Sequence, residues 1–414
     1  MCGIAGFCNF KEDFEENTDY WNFRLEKMRA VLAHRGNDAR GRYLKKHIGL
    51  SHSRLAIRDI LCGDQPMTRT HNGYEYTICY NGEIYNTDEL IPKLSENGFV
   101  CSTTSDTEVI LYAYIHWGAD FVNRLNGIFA FAIWDAAKNR LLLYRDRVGV
   151  KPLFYAIRGD SLVFGSEPKA CFAHPAVKPE LDKQGLQELL AIGPAHTSGL
   201  SLFKDLFEVL PGHFMIYSQN GLHDETYWEL TSREHTESYQ DTVAHTRFLV
   251  EDAIKRQMVS DVPVCTFLSG GIDSSIVTAI AANYMNTRGK TLNTFSFDFK
   301  DNDRYFKANA FQPERDLPYV NRMLEEYETA HSYLECDENS LFKALFAAVD
   351  AKDMPGMTDV DSSLLYFCSL VSRKNKVALT GECADEIFGG YPWFYRKELL
   401  ERYGFPWSSD VDIR

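Results

Sequence analysis

Met1-Cys2-Gly3-Ile4-Ala5-Gly6 is the stretch on which the reading of the N-terminal half turns. A small second residue lets the initiator methionine be removed, which leaves a chain beginning with cysteine. Such a residue carries a thiol nucleophile and a free α-amine in one place. The amine titrates near ~8, well below a lysine, so a good fraction is neutral at working pH and can act as a base. An N-terminal cysteine alone decides nothing. Gly3, Gly6 and the segments downstream give this one its meaning.

Working outward, the chain has 414 residues, 45% of them apolar, which is enough for large cores and more than one typical domain. The net charge of −14 argues against nucleic acid or an anionic membrane surface as the main partner. Ten cysteines show no CxxC pair and no zinc-type spacing. In a chain this long they read as reduced thiols of a soluble, cytoplasmic protein. No apolar run approaches the ~18 residues a spanning helix needs, and nothing resembles a signal peptide.

Up to about Trp228 the pattern is strands with interposed helices. Trp21, Leu25, Met28 and Leu32 fall at helical spacing. Tyr74, Tyr76, Ile78 and Tyr80 alternate with smaller or polar residues, a half-buried strand that Asn81-Gly82 is expected to break. Ile128–Trp134 is apolar throughout, which implies a strand covered on both faces. Sheets packed face to face with helices outside satisfy all of this. The polar stretch 229–238 marks the boundary between expected domains 2–228 and 236–414. Beyond it, a helix over 243–258, strand 262–268, a loop and helix over 269–284, and strands 294–297 and 377–380 alternate as β-α-β. That predicts a parallel doubly wound sheet with a site at its carboxyl ends.

Thiol attack on an amide carbonyl creates an oxyanion that needs donors. Asn81 and Gly82 offer a carboxamide and a close backbone N–H, although an Asn-Gly hairpin turn is the ordinary meaning of the pair. Arg54 offers a planar fork for a carboxylate and Asp106 a counter-charge for an ammonium. In Leu268-Ser269-Gly270-Gly271-Ile272-Asp273-Ser274-Ser275 the glycines expose N–H groups, the serines add donors, and the following helix presents its positive end to phosphate. The loop lacks the lysine of a Walker motif.

Cys2 and the ordered motifs His34-Arg35-Gly36-Asn37-Asp38, Ser53-Arg54-Leu55-Ala56-Ile57, Asn81-Gly82-Glu83-Ile84-Tyr85-Asn86, Ser105-Asp106-Thr107-Glu108 and Arg145–Leu153 together resemble the N-terminal-nucleophile (class II) glutamine amidotransferase domain. The Leu268–Ser275 loop resembles that of the ATP pyrophosphatase family. The combination is similar to the glutamine-hydrolysing asparagine synthetase family along essentially the whole chain. The resemblance implies an α/β protein: an α+β four-layer sandwich of two antiparallel sheets between helices, then a doubly wound ATP-pyrophosphatase domain. It implies Cys2 as nucleophile and Arg54, Leu55, Ala56, Ile57, Arg58, Asn81, Gly82, Glu83 and Asp106 around glutamine. For ATP it implies Leu268, Ser269, Gly270, Gly271, Asp273, Ser274, Phe297, Thr380 and Gly381, with Glu382 acting on an aspartyl-adenylate. Pyrophosphate chemistry calls for Mg²⁺ on oxygen ligands, for which Asp273 and Asp385 are the candidates. Glutamine, aspartate and ATP are the implied partners, with a homodimer as the expected assembly.

Four departures from the family pattern stand out. Asn37 replaces a usual proline, Cys383 and Ala384 replace a usual glycine and serine, and Asp353–Ser363 is acidic where relatives are basic. The chain also ends at Arg414, from which an incomplete acceptor pocket is expected. The acidic segment keeps open a rival acceptor carboxylate, and a silent regulatory homologue is the rival from another class. The Arg145–Leu153 segment reads as structural, a buried charged turn.

Overall fold

The computed structural model describes residues 1–308 and 314–401; the end of the second expected domain, 402–414, lies outside them. Two compact units separate: Met1–Thr236 with Ala347–Thr358, and Glu237–Phe346 with the described residues from Asp359 onward.

The first unit contains β1 (Gly3–Asn9), β2 (Ala39–Lys45), β3 (Ile48–Arg54), β4 (Met67–His71), β5 (Tyr74–Ile84), β6 (Gly127–Asp135), β7 (Arg140–Arg145), β8 (Phe154–Arg158), β9 (Ser161–Gly165), β10 (Phe207–Glu208), β11 (His213–Ser218) and β12 (Gly221–Thr226). They form two antiparallel six-stranded sheets, ordered β10-β8-β9-β1-β3-β2 and β12-β11-β7-β6-β5-β4. Side-chain alternation assigns each strand's two faces to different cores. Ile4 and Cys8 of β1 meet Ala130, Ala132 and Trp134 of β6 between the sheets. Ala5 and Phe7 turn the other way, onto Trp21, Leu25 and Met28 of helix α1 (Thr18–Ala30). Phe129, Phe131 and Ile133 pack outward against α2 (Thr87–Glu96) and α3 (Asp106–Trp117). The layers are therefore helix, sheet, sheet, helix, and the run Ile128–Trp134 is apolar because both its faces are covered. Short helices α4 (Pro168–Phe172) and α5 (Lys183–Ala191) complete the unit.

One local expectation is corrected. Asn81-Gly82 does not break its strand: β5 continues to Ile84, paired with β6 along its length. The hairpin is made by Asn72-Gly73, both at positive φ (49° and 80°), between the paired His71 and Tyr74.

The second unit contains β13 (Val264–Phe267), β14 (Leu292–Phe299), β15 (Thr329–Cys336) and β16 (Val377–Leu379), all parallel, in the order β15-β14-β13-β16. Its helices are α6 (Tyr239–Gln257), α7 (Ile272–Asn286), α8 (Asn302–Tyr305), α9 (Leu317–Glu326), α10 (Glu338–Lys352, of which Ala347 onward belongs to the first unit), α11 (Thr358–Val371, whose first residue also does), α12 (Ala384–Phe388) and α13 (Lys397–Leu400). Val264, Leu292, Val377 and Leu379 pack with Ala281 and Ala282 of α7 on one face. Cys265, Phe295 and Ala378 pack with Val371 of α11 on the other. Helices on both faces make the sheet doubly wound. Strand order reverses at β13, so the loops after β13 and β16 open together at the carboxyl ends, where such sheets bind ligands.

Candidate active sites

In the first unit, Cys2 directly precedes β1. Its Sγ accepts a hydrogen bond from the Leu55 N–H at 3.3 Å, just beyond the end of β3. The carbonyl of Cys2 accepts from Arg35 Nε at 2.9 Å, and Arg35 is tied in turn to Glu167 at 2.7 Å. His34 reaches the same carboxylate at 3.0 Å. Burial pushes the Glu167 carboxyl up, but the His34 hydrogen bond and the Arg35 guanidinium outweigh it and bring its pKa to about 2. Lys169 bridges Glu167 and Asp353, so the acidic segment expected near an acceptor site begins within this unit, in an ion pair.

Burial pushes the Cys2 thiol above its ordinary range, only partly offset by the Leu55 N–H. A thiol so placed needs a base. The α-amine beside it, which belongs to Met1 in this structure, is pushed down to about 5 by burial, helped by the Arg35 and Lys151 charges. Although Met1 as a residue is half exposed, its amine is thus neutral near pH 7.

Cys2, Arg54, Leu55, Ile57, Arg58, Gly82, Glu83 and Asp106 line one small pocket, while the expected Ala56 and Asn81 do not; Ala56 is buried, its N–H held by Asp38 at 2.8 Å. Asn81 is buried in β5, and its Nδ2 has no hydrogen-bond partner. Gly82 lies opposite Phe129, whose own N–H and C=O are both engaged by Asp146. That makes Gly82 a non-hydrogen-bonded ladder position, so its N–H faces away from β6. Its neighbours two residues away share that direction: the Tyr80 N–H bonds Gln65, and the Ile84 N–H bonds Asp106. A Cβ on Gly82 would meet the Ile128 carbonyl at 2.2 Å, so the strand requires glycine there.

Asp106 opens α3, where Ser105 caps the helix, and a carboxylate is favoured at that positive end. Burial pushes its pKa up, while Arg58, the Ile84 N–H and the Tyr80 hydroxyl oppose the rise. Arg58 itself donates to the Ile84 carbonyl at 2.8 Å and to Thr87. Arg54 is turned onto its own loop: it donates to the Ile60 and Asp59 carbonyls and pairs with Asp64 at 2.9 Å. Tyr80, Gln65, Ser105 and Thr107 also line the pocket, and sequence reasoning missed all four. The Ser105–Glu108 motif contained two of them.

In the second unit the loop after β13 is internally bonded. Ser274 Oγ lies 3.0 Å from Ser269 Oγ, accepts from the Ser269 N–H and donates to the Gly271 carbonyl. Gly270 has φ 85°, and a Cβ there would strike Tyr319. Leu268 is fixed by its N–H on the Phe295 carbonyl at 2.9 Å, and Phe297 stacks on Phe367 at 4.3 Å. Gly381 lets the second loop come against the start of α7, since a Cβ would lie 2.7 Å from that of Asp273. Burial, then the nearby Asp385 charge, pushes Asp273 above the usual carboxylate range. Thr380 Oγ1 accepts from the Glu382 N–H, and Glu382 is exposed. Cys383 takes a left-handed conformation, φ 67°, which glycine adopts without strain.

Residues 1–228 match the glutamine amidotransferase domain and residues 245–412 the asparagine synthase domain. The glutamine-hydrolysing asparagine synthetase 3 of Bacillus subtilis is 47% identical over all of this chain and 67% of its own length. The glutamine-hydrolysing asparagine synthetase 1 of the same organism is 32% identical over 96% of this chain and 60% of its own. The amidase chyE of Penicillium rubens is 31% identical over 99% of this chain and 62% of its own. The chain thus spans about three-fifths to two-thirds of the length of these relatives.

Proposed function

Because the chain belongs to the glutamine-hydrolysing asparagine synthetase family, we propose that it releases ammonia from glutamine at Cys2 and delivers it to an aspartyl-adenylate made from ATP and aspartate. Asparagine, AMP and pyrophosphate are then the products, and the cytoplasm the site of action. In the first unit, removal of Met1 hydrolyses the Met1–Cys2 peptide bond and frees the backbone nitrogen of Cys2 as a new α-amine. That amine takes the thiol proton, the thiolate attacks the side-chain carbonyl of glutamine, and the oxyanion is met by Asn81 Nδ2 and the Gly82 N–H. Collapse expels ammonia, which leaves with the borrowed proton, and water then hydrolyses the thioester. Asp106 and Glu83 suit the substrate ammonium. The α-carboxylate falls to Arg54 once it exchanges its loop carbonyls for substrate.

In the second unit the two loops suit pyrophosphate and nucleotide. Asp273 and Asp385 lie close enough for one charge to act on the other, and their carboxylates would be the groups to hold a Mg²⁺ ion. Bound there, the ion would neutralise the phosphate charge. Leu268 and Phe297 flank the adenine position, Thr380 and Gly381 the nucleotide, and Glu382 the acyl-adenylate.

One observation supports the reading of the first unit: the buried thiol of Cys2 and Gly82 line one pocket with Glu83 and Asp106, and Asn81, next to Gly82 in β5, keeps a buried carboxamide donor without a partner. The test is Cys2→Ala, which is expected to abolish ammonia release from glutamine. Persistent hydrolysis would overturn the assignment. For the acceptor, glutamine, ATP and Mg²⁺ are supplied with a series of carboxylates and AMP is measured. AMP release strongest with an acceptor other than aspartate would replace the synthetase reading by an amidase of different specificity.

A further inference from the structure

The segment Arg145–Leu153 has a task beyond stabilising a turn. Asp146 collects the N–H groups of Phe129, Val148, Val150 and Lys151 on one carboxylate, at 2.9–3.3 Å. Arg145 clamps the same turn from the other side, donating to the carbonyls of Lys151, Gly149 and Val209 and pairing with Glu208. A turn gripped at so many points projects one side chain inward. Lys151 is only 8% exposed, and its Nζ lies 3.0 Å from Met1 Sδ, against the residue that maturation removes. A lysine nearly fully buried costs free energy unless its charge is used.

We propose that Lys151 is a positioning residue of the glutaminase reaction, whose ammonium, delivered by the Asp146-centred turn, keeps the α-amine of Cys2 in its neutral, proton-accepting form. The inference rests on the glutaminase reading above. The groups around the ammonium are the Arg35 guanidinium, the Glu83 and Asp146 carboxylates and the Cys2 thiol. In the unprocessed chain the amine of Met1 faces Cys2, Arg35, Lys151 and Glu83, and the amine freed at Cys2 lies one residue further along in the same surroundings. Two cations and one carboxylate thus bear on the amine besides the thiol, and loss of either cation stabilises its protonated form. The sign follows: without Lys151 the amine is protonated at a higher pH, so the acid limb of the rate profile moves up.

The test measures kcat/KM for glutamine hydrolysis against pH in the wild-type chain, Lys151→Met, Lys151→Gln and Lys151→Arg, with Met1 removal checked by mass spectrometry. Lys151→Met and Lys151→Gln are expected to move the acid limb up by about one pH unit, a roughly tenfold loss at low pH. Their plateau at high pH is kept, and Lys151→Arg returns the limb to its wild-type position. The polar Lys151→Gln serves should Lys151→Met fail to fold. A limb unmoved in the folded neutral variants, or moved equally in Lys151→Arg, overturns the proposal. A wild-type chain without ammonia release that depends on Cys2 overturns the glutaminase reading itself, and the proposal with it.

Discussion

Asn81→Ala separates activity from stability in a way that only an unused donor allows. Asn81 is 1% exposed and its Nδ2 has no partner, so the resting protein carries a buried N–H left unmade. Such a group costs roughly 1–3 kcal/mol. Truncation to alanine removes that cost but leaves a void and loses packing, of order 1–2 kcal/mol for so few atoms. The two nearly cancel, and the β5–β6 ladder through Asn81 and Ala130 is untouched. Loss of a donor from an oxyanion site, by contrast, costs about 10²–10³ in kcat. The expectation is a folding stability within about 1 kcal/mol of wild type and a kcat for ammonia release lower by two to three orders. Urea unfolding and a coupled ammonia assay on the same preparations measure both. Asn81→Asp is the control: it keeps the size but presents an acceptor, so it should lose as much activity and also lose stability. If Asn81→Ala destabilises by more than about 2 kcal/mol, or keeps kcat within about threefold, the amide is a structural group and the oxyanion reasoning is wrong.

Glu167→Gln tests the Arg35 anchor. The folded carboxyl sits at about 2 against 4.5 ordinarily, so its contribution is present above pH 4.5 and lost as pH falls towards 2. The stability gap from wild type should be at most about 3 kcal/mol at pH 7 and roughly half that at pH 3, read by urea unfolding at both; an equal gap at the two pH values would refute the ionic account. Asp273→Asn and Asp385→Asn should each lower AMP formation by at least about tenfold and leave ammonia release within about twofold, since the proposal puts the two reactions in different units. Parallel loss of both products would show that one site serves both.

Much of the fold was legible because burial writes period and run length into the chain. Phe129, Phe131 and Ile133 alternate with Ala130, Ala132 and Trp134, and the continuous run reflects two cores, one on each face. The β-α-β alternation from Val264 onward likewise gave the parallel sheet, with α7 beginning at Ile272 inside the expected stretch. Asn81-Gly82 was misread as a break because a dipeptide carries no information about a partner strand. Asn72-Gly73, nine residues earlier, has the same composition and does turn. What separates them is that Gly82 faces Phe129, 47 residues away, and no local preference reports that.

The site divides along the same line. Cys2, Asn81 and Asp106 could be nominated because the chemistry proposed for them is suggested by residue type within a short motif. The direction of a long side chain is not. Arg54 has the geometry for a carboxylate fork, yet its donors are turned onto the Asp59 and Ile60 carbonyls and Asp64, a choice set by the loop that follows it. Lys151 sat inside a motif read as a structural, buried charged turn, and its Arg145, Asp146 and Lys151 are buried as expected; the role proposed for Lys151 was not read there. Only the gathering of four N–H groups on Asp146 shows which way the lysine must point. The proposed site therefore combines groups suggested by what they are with groups suggested only by where the fold aims them. A substitution such as Asp146→Asn, remote from the reacting atoms, should for that reason disturb the Cys2 amine through Lys151 before it unfolds the domain.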